Sequence, residues 1–209
     1  MRIDSLKNSP DRAGRYWVTF EDGTKLGLYR QTVEDFGLYI GRELTEEEQQ
    51  QLLTAAGKMS AKMRAVRIVS AASVSKRDLE ERLVRKGEDP EQAKEAVQWM
   101  EDLHLVDDRN TAEQVVHSCI SKGYGLQRAK QALYEKRIPK QYWEEALANY
   151  PDQTERIESF LRSRLDADSD QKQIKKAIDA LIRRGHSYGT IRRVLNDLSL
   201  DSDEYIEDF

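Results

Sequence analysis

Three segments of the chain repeat one another at nearly constant spacing, and this constrains the fold more than any other feature. Leu83-Val84-Arg85-Lys86-Gly87, Leu133-Tyr134-Glu135-Lys136-Arg137 and Leu181-Ile182-Arg183-Arg184-Gly185 lie 50 and 48 residues apart. Four residues before each leading leucine stand Leu79, Ala129 and Ala177. Ten after each segment's last residue stand Val97, Leu147 and Leu195, with Ala93, Trp143 and Ile191 four earlier. Apolar residues at helical spacing, recurring with this period, read as tandem supersecondary units. Each unit has an apolar helix with a basic end, a tight turn and a second amphipathic helix. Preceding helices at 58–72, 108–122 and 152–165 complete three trios. Stacking of neighbours predicts an elongated, curved array, mainly α.

Composition agrees with divided cores. The chain has 209 residues, of which 38% are hydrophobic and 34% charged, with a mean hydropathy of -0.79. Leu, Ile, Val and Phe make up 22% of it, close to the level of roughly 20% at which compact folding becomes doubtful. Small units with thin apolar layers use such a composition better than one thick core. No run approaches the roughly 18 apolar residues of a membrane span, and the first residues lack the apolar stretch of a signal peptide, so a soluble, cytoplasmic protein is expected. The single cysteine, Cys119, lies in the helical pattern Val115, Val116, Cys119, Ile120 and reads as a buried thiol. His104, His117 and His186 are far apart, and no metal-ligand or phosphate-loop spacing occurs, so neither metal nor cofactor is expected. Asp107 or Asp108 reads as a helix N-cap. No nucleophile, base and orienting group can be assembled, so the chain is not expected to be an enzyme.

The head of the chain differs from the repeats. Arg15-Tyr16-Trp17-Val18-Thr19-Phe20, the turn Asp22-Gly23 and the return Lys25-Leu26-Gly27-Leu28-Tyr29 predict a β-hairpin, to which residues 2–7 can add a third strand. Thr45-Glu46-Glu47-Glu48 is a capping box that starts a helix. Leu52, Leu53 and Ala56 form its apolar side, Gly57 is expected to break or kink it, and Met59, Met63, Val66 and Val69 continue the pattern as core filler. Ser75 and Asp89-Pro90 cap the next helices, with Gly87 as a stop. Further helices are predicted over 126–137, 139–150, 170–185 and 187–198. The resulting divisions are a hairpin extension with its linking helix at 1–57, repeats at 58–107, 108–151 and 152–199, and an acidic tail at 200–209.

Net charge is -4, but it is unevenly placed. Residues 1–57 carry -3, the first repeat 0, the second and third +2 each, and the tail -5. A mildly basic body between acidic ends points to an anionic partner. Cations recur at the repeated turns: Arg85 and Lys86, Lys136 and Arg137, Arg183 and Arg184. Cations near helix C-termini also complement the helix dipole, which is the purely structural reading. Lys175, Lys176, Arg192 and Arg193 lack that explanation and make the third repeat the stronger anion-binding surface. The connector Lys122-Gly123-Tyr124-Gly125-Leu126-Gln127-Arg128 adds Lys122, Tyr124 and Arg128. Gly123 can end a helix in the left-handed conformation, and Tyr124 can pack or stack on a base. In the tail, five carboxylates can compete with nucleic acid for the third repeat.

Leu103-His104-Leu105-Val106-Asp107-Asp108, followed by Ala112, Lys122-Gly123 and Leu133-x-x-Lys136, resembles the RecX family, with its Leu-x-Asp-Asp element, Lys-Gly connector and Leu-x-x-Lys-Gly helix end. Ser75-x-x-Asp78-Leu79-x-x-x-Leu83-x-x-Lys86-Gly87 and Ile178-x-x-Leu181-x-Arg183-Arg184-Gly185 are similar to that family's first and last repeats. The resemblance covers residues 60–198, and the hairpin with Gly37-Leu38-x-x-Gly41-x-x-Leu44-Thr45 looks like the extension of longer members. It implies a regulator that binds the RecA recombinase filament, along the groove and with its single-stranded DNA, as a monomer. Such a regulator inhibits ATP hydrolysis, coprotease action and strand exchange without chemistry of its own. Arg137 stands where the family has glycine, which implies a turn there without positive φ, and Asn110-Thr111 replaces a bulky aromatic. The alternative is a direct nucleic-acid-binding helical module acting without recombinase, whose helices such as Ile174–Arg184 cross phosphates. Steep salt dependence on naked DNA would mark it.

Overall fold

Alternating apolar residues put one face of the first thirty residues inside. In the computed structural model, which describes residues 1–9, 14–166 and 168–198, β1 (Ile3–Asn8), β2 (Arg15–Phe20) and β3 (Lys25–Tyr29) form an antiparallel sheet in the order β1-β2-β3. The third strand is therefore present. Val18 pairs with Leu6 on one side and Leu26 on the other, and Gly23 turns the hairpin at φ 83°. A short helix that the sequence did not announce, α1 (Arg30–Asp35), follows without a side-chain cap. Ile3, Val18, Phe20, Leu28, Val33, Leu38, Leu44 and Leu52 make the core of this module.

The capping box forms as expected: the Glu48 N–H donates to the Thr45 hydroxyl and the Thr45 N–H to the Glu48 carboxylate. The helix it starts, α2 (Glu46–Ala71), runs for 26 residues without interruption. Gly57 therefore neither ends nor divides it. A Cβ at Gly57 would fall on the Gln92 side chain, so the glycine is there to admit a neighbouring helix. Leu53, expected inside, is 53% exposed, because the buried stripe of α2 passes through Leu52, Ala61 and Ala65.

Ala61 and Ala65 belong to a second core shared with α3 (Lys76–Arg85) and α4 (Pro90–Asp102). Small residues on α2 let Leu79, Leu83, Ala93, Ala96 and Met100 pack against it; Leu79, Leu83, Ala93 and Met100 are fully buried. Ser75 and Asp89 cap α3 and α4 as read from sequence. The sheet, α1 to α4 and Val106 constitute one compact unit, residues 1–106.

Residues from 107 onward constitute the second unit. It contains α5 (Asp108–Ser121), α6 (Leu126–Glu135), a 3-10 turn at Lys140–Tyr142, α7 (Trp143–Leu147), α8 (Thr154–Arg162), α9 (Gln171–Arg183) and α10 (Tyr188–Asp197). Asp107 caps α5, Asp170 caps α9 in a capping box with Gln173, and Ser187 caps α10. The equivalent leucines Leu83, Leu133 and Leu181 are 0%, 0% and 1% exposed, so the repeat seen in the sequence is a repeat of core positions. It is weakest at residues 139–150, where a full helix was expected and only the short α7 forms. Its aromatics are held by polar ends instead, Trp143 donating from Nε1 to the Ile138 carbonyl and Tyr150 from its hydroxyl to the Tyr124 carbonyl.

One turn departs from expectation in an informative way. Arg137 has φ 58°, the left-handed conformation shared by Gly87 (90°) and Gly185 (83°) at the matching positions. The backbone repeat is kept although the residue is not glycine, at a cost of about 1 kcal/mol. The reading that this turn avoids positive φ is thus corrected. The acidic tail lies outside the described residues.

Candidate functional site

Ion pairing separates the two units. In the first, cations tie elements together through carboxylates: Arg42 to Glu48, Lys58 to Glu95, and Lys76 to Glu101 at 2.8–2.9 Å. Arg64 meets Glu88, whose side chain is only 6% exposed and also accepts from the Ser60 hydroxyl. Arg77 and Arg82 lie along α3 against Glu81, one turn ahead, and Asp78, one turn back. Of the cations singled out from sequence in this unit, Arg85 and Lys86 are exposed at the end of α3.

The second unit is joined mainly through backbone carbonyls. A Cβ on Gly125 would fall on the Gly185 carbonyl, and one on Gly185 would fall on the Arg128 backbone. The Gly125 N–H donates to the Arg184 carbonyl (2.8 Å) and the Gln127 N–H to that of Gly185 (3.1 Å). The connector between α5 and α6 is thus pressed onto the turn between α9 and α10. Its glycines are explained by this approach and by the φ of 67° at Gly123, with no phosphate loop required.

His186 closes the same junction. It is 7% exposed, and its Nε2–H donates to the Gly123 carbonyl at 3.2 Å. Burial pushes its pKa below the ordinary value; the Gly123 carbonyl opposes this, while Arg184 and Arg156 reinforce it. Arg156 donates to the Ile120 carbonyl at the end of α5. Cys119 is buried, as read from sequence, and burial raises its thiol pKa. Burial also pushes the Tyr150 phenol up to about 12.

This junction gathers Lys122, Tyr124, Arg128 and Arg184 from the residues chosen by sequence. They do not share one condition. Lys122 and Arg184 are exposed, Tyr124 is half-buried, and Arg128 is held by Glu135 at 2.9 Å. The Arg128 guanidinium lowers the Glu135 pKa and its own is raised by the pair. Lys136 is half-buried at the end of α6, and Arg137 is exposed over the Tyr134 ring at 5.9 Å. Lys175, Lys176, Arg183 and Arg193 are exposed on α9 and α10, and Arg192 is half-buried. Among the described residues, Lys122, Lys175, Lys176, Arg183, Arg184 and Arg193 have no carboxylate within ion-pair distance.

Sequence reasoning missed Phe160 and Arg164. Phe160 is half-buried on α8, with the guanidiniums of Arg164 and Arg184 at 4.7 and 4.8 Å from its ring centre. The signal was available: Arg156, Phe160 and Arg164 are spaced by four, which puts Arg156 and Phe160 on one side of α8 and Arg164 just past its end. The partnership with Arg184 depends on tertiary packing and left no local trace. Among the described residues no helix is long and apolar enough to cross a membrane.

The chain is similar to known proteins along its length. A family model described as the second three-helix domain of RecX matches residues 107–147. The chain is 29% identical over 210 residues to the regulatory protein RecX of Clostridioides difficile strain 630, covering 98% of this chain and 97% of that protein. It is 34% identical over 155 residues to the regulatory protein RecX of Chlorobaculum tepidum, covering 70% of this chain and 96% of the relative. A crystal structure of a regulatory protein RecX matches with a TM-score of 0.63 at 20% identity, over 93% of this chain and 98% of that one. RecX from Lactobacillus salivarius matches with a TM-score of 0.60 at 24% identity, over 70% and 99%. These two structures share the fold.

Proposed function

The chain belongs to the RecX family of regulatory proteins, and from that premise we propose that it binds the RecA–DNA filament and inhibits its ATPase, coprotease and strand-exchange activities in DNA repair and recombination. One observation carries the reading: the second unit keeps exposed cations that no carboxylate of the described residues neutralises, above all on α9 and at its end. A nucleoprotein filament offers repeated negative charge, and a monomer with a basic face can attach to it without a cofactor or a reaction of its own. Lys122, Lys175, Lys176, Arg183, Arg184 and Arg193 are assigned to that face, with Lys136, Arg137 and Arg192 as its continuation within the second unit, while Arg85 and Lys86 are assigned as partner contacts of the first unit by itself. Arg128, committed to Glu135, and Tyr124, half-buried in the junction, are assigned supporting positions.

The test is ATP hydrolysis by RecA on single-stranded DNA with the pure protein added. Hydrolysis should fall as the protein is titrated in. A rate that stays constant at protein in excess over RecA refutes the proposal.

A further inference from the structure

Two positive charges share one aromatic ring in the third repeat. With Arg164 at 4.7 Å and Arg184 at 4.8 Å from the centre of Phe160, the guanidiniums lie within about 9.5 Å of each other. Both are exposed, and among the described residues neither has a carboxylate within ion-pair distance. Arg164 follows the end of α8 and Arg184 that of α9, where helix dipoles favour a cation. The dipoles do not account for both side chains turning onto the same ring. A guanidinium laid on an aromatic face keeps its N–H edge outward and fixed, ready for a planar or tetrahedral oxyanion. Two such edges at this separation suit neighbouring charges along a chain.

We propose that Arg164 and Arg184, held against Phe160, form a clamp for the phosphates of single-stranded nucleic acid. The surroundings favour a polyanion over an acidic protein surface. Lys175, Lys176 and Arg183 are exposed on the same helix as Arg184 or beside it, and Ile182 is the one large apolar side chain exposed among the described residues of this repeat. A protein contact draws its energy from several buried aromatic and apolar anchors, for which Ile182 and the ring of Phe160, already covered by two guanidiniums, offer little. The proposal rests on the filament reading only in taking the strand to be the one that a filament carries.

The test uses the full chain without recombinase and a labelled oligothymidylate, followed by fluorescence anisotropy across a salt series. Each phosphate contact on a single strand contributes about 0.7 to the slope of log affinity against log salt. The double variant Arg164→Gln, Arg184→Gln should therefore lose roughly 25-fold in affinity at about 0.1 M salt, with a slope shallower by about 1.4. Phe160→Leu keeps both charges but removes the ring, and should lose roughly fivefold with the slope unchanged. Arg162→Gln, a change to a cation already paired with Glu158, should stay within roughly twofold of the wild type.

Wild-type affinity in the double variant overturns the clamp, as does a wild-type protein with no affinity for the strand at low salt. So does a double variant that keeps the strand but loses affinity for recombinase alone, which would identify an acidic protein contact. The ATPase titration separates this proposal from the one before it. A protein that holds the strand through the clamp and leaves hydrolysis unchanged removes the filament reading and leaves the clamp intact.

Discussion

The two units have identical formal charge, 17 Lys and Arg against 19 Asp and Glu in each, yet use it differently, although in the second Arg109 also ties α5 to α7 through Glu145. The first spends cations internally: the loop before α2, α2 itself, α3 and α4 are linked by carboxylates, with Glu88 almost enclosed between Arg64 and Ser60. The second joins its two repeats through Gly125, Gly185 and His186, whose partners are backbone carbonyls and bare Cα atoms. Contacts of that kind consume no side-chain charge. Because the junction is made mostly by backbone, with Arg156 donating to the Ile120 carbonyl, other cations around it such as Lys122 and Arg184 remain for the outside. The net charge of a segment therefore says little about its electrostatics until its partners are known.

If backbone contact joins the second unit, its most sensitive position is a residue with no side chain. Gly125→Ala should cost about 3 kcal/mol or more, since the added methyl meets a backbone carbonyl that cannot step aside; chemical denaturation would measure it, and a loss under 1 kcal/mol would show the repeats to be loosely joined. In the first unit the corresponding weak point is a charge. Glu88→Ala should cost about 2 kcal/mol, less than for a fully buried pair because Arg64 is one-third exposed. Charge reversal at Arg183 and Arg184 should leave the melting temperature nearly unchanged and weaken filament binding roughly 25-fold at about 0.1 M salt. An unchanged affinity would sink the assignment of that face.

Two smaller effects sharpen the contrast. Burial holds the His186 pKa below its unfolded value, so the unfolded chain takes up a proton first as pH falls. Stability from this site is complete above the unfolded value of about 6.5 and is lost as pH drops through the folded one. The melting temperature should accordingly be a few degrees lower at pH 5 than at pH 7, and His186→Gln should flatten that slope. Arg137→Gly should relieve the left-handed strain and stabilise the second unit by about 0.5 kcal/mol, the gain being reduced by the greater freedom of glycine in the unfolded chain.

Much of the architecture was legible locally. Thr45, Ser75 and Asp89 cap the helices they were read to cap, and of the pair Asp107 and Asp108 it is Asp107 that caps α5, because a cap is a contact over two or three residues; Asp170 and Ser187, read only as helix starts, are caps of the same kind. The buried equivalents Leu83, Leu133 and Leu181 followed from periodicity. What escaped was decided by distant residues. Gly57 was read as a helix break because its reason, Gln92, lies 35 positions away. Arg137 was expected to avoid a conformation that the surrounding turn imposes on it. The pairing of Arg164 with Arg184 exists only where the ends of α8 and α9 meet, although the four-residue spacing of Arg156, Phe160 and Arg164 was in view. The basic face was readable as composition, while the distinction between committed and available cations, as between Arg128 and Arg184, required the geometry.

The unbroken α2 has a mechanical consequence. A helix of 26 residues is about 39 Å long, with the sheet core fastened near one end by Leu52 and the first repeat fastened farther along by Ala61 and Ala65. No loop lies between the two fastenings, so the sheet cannot turn against α3 and α4 without deforming that helix, which serves the first unit as an axle. Gly57, covered by the Gln92 side chain, marks where α4 lies against that helix.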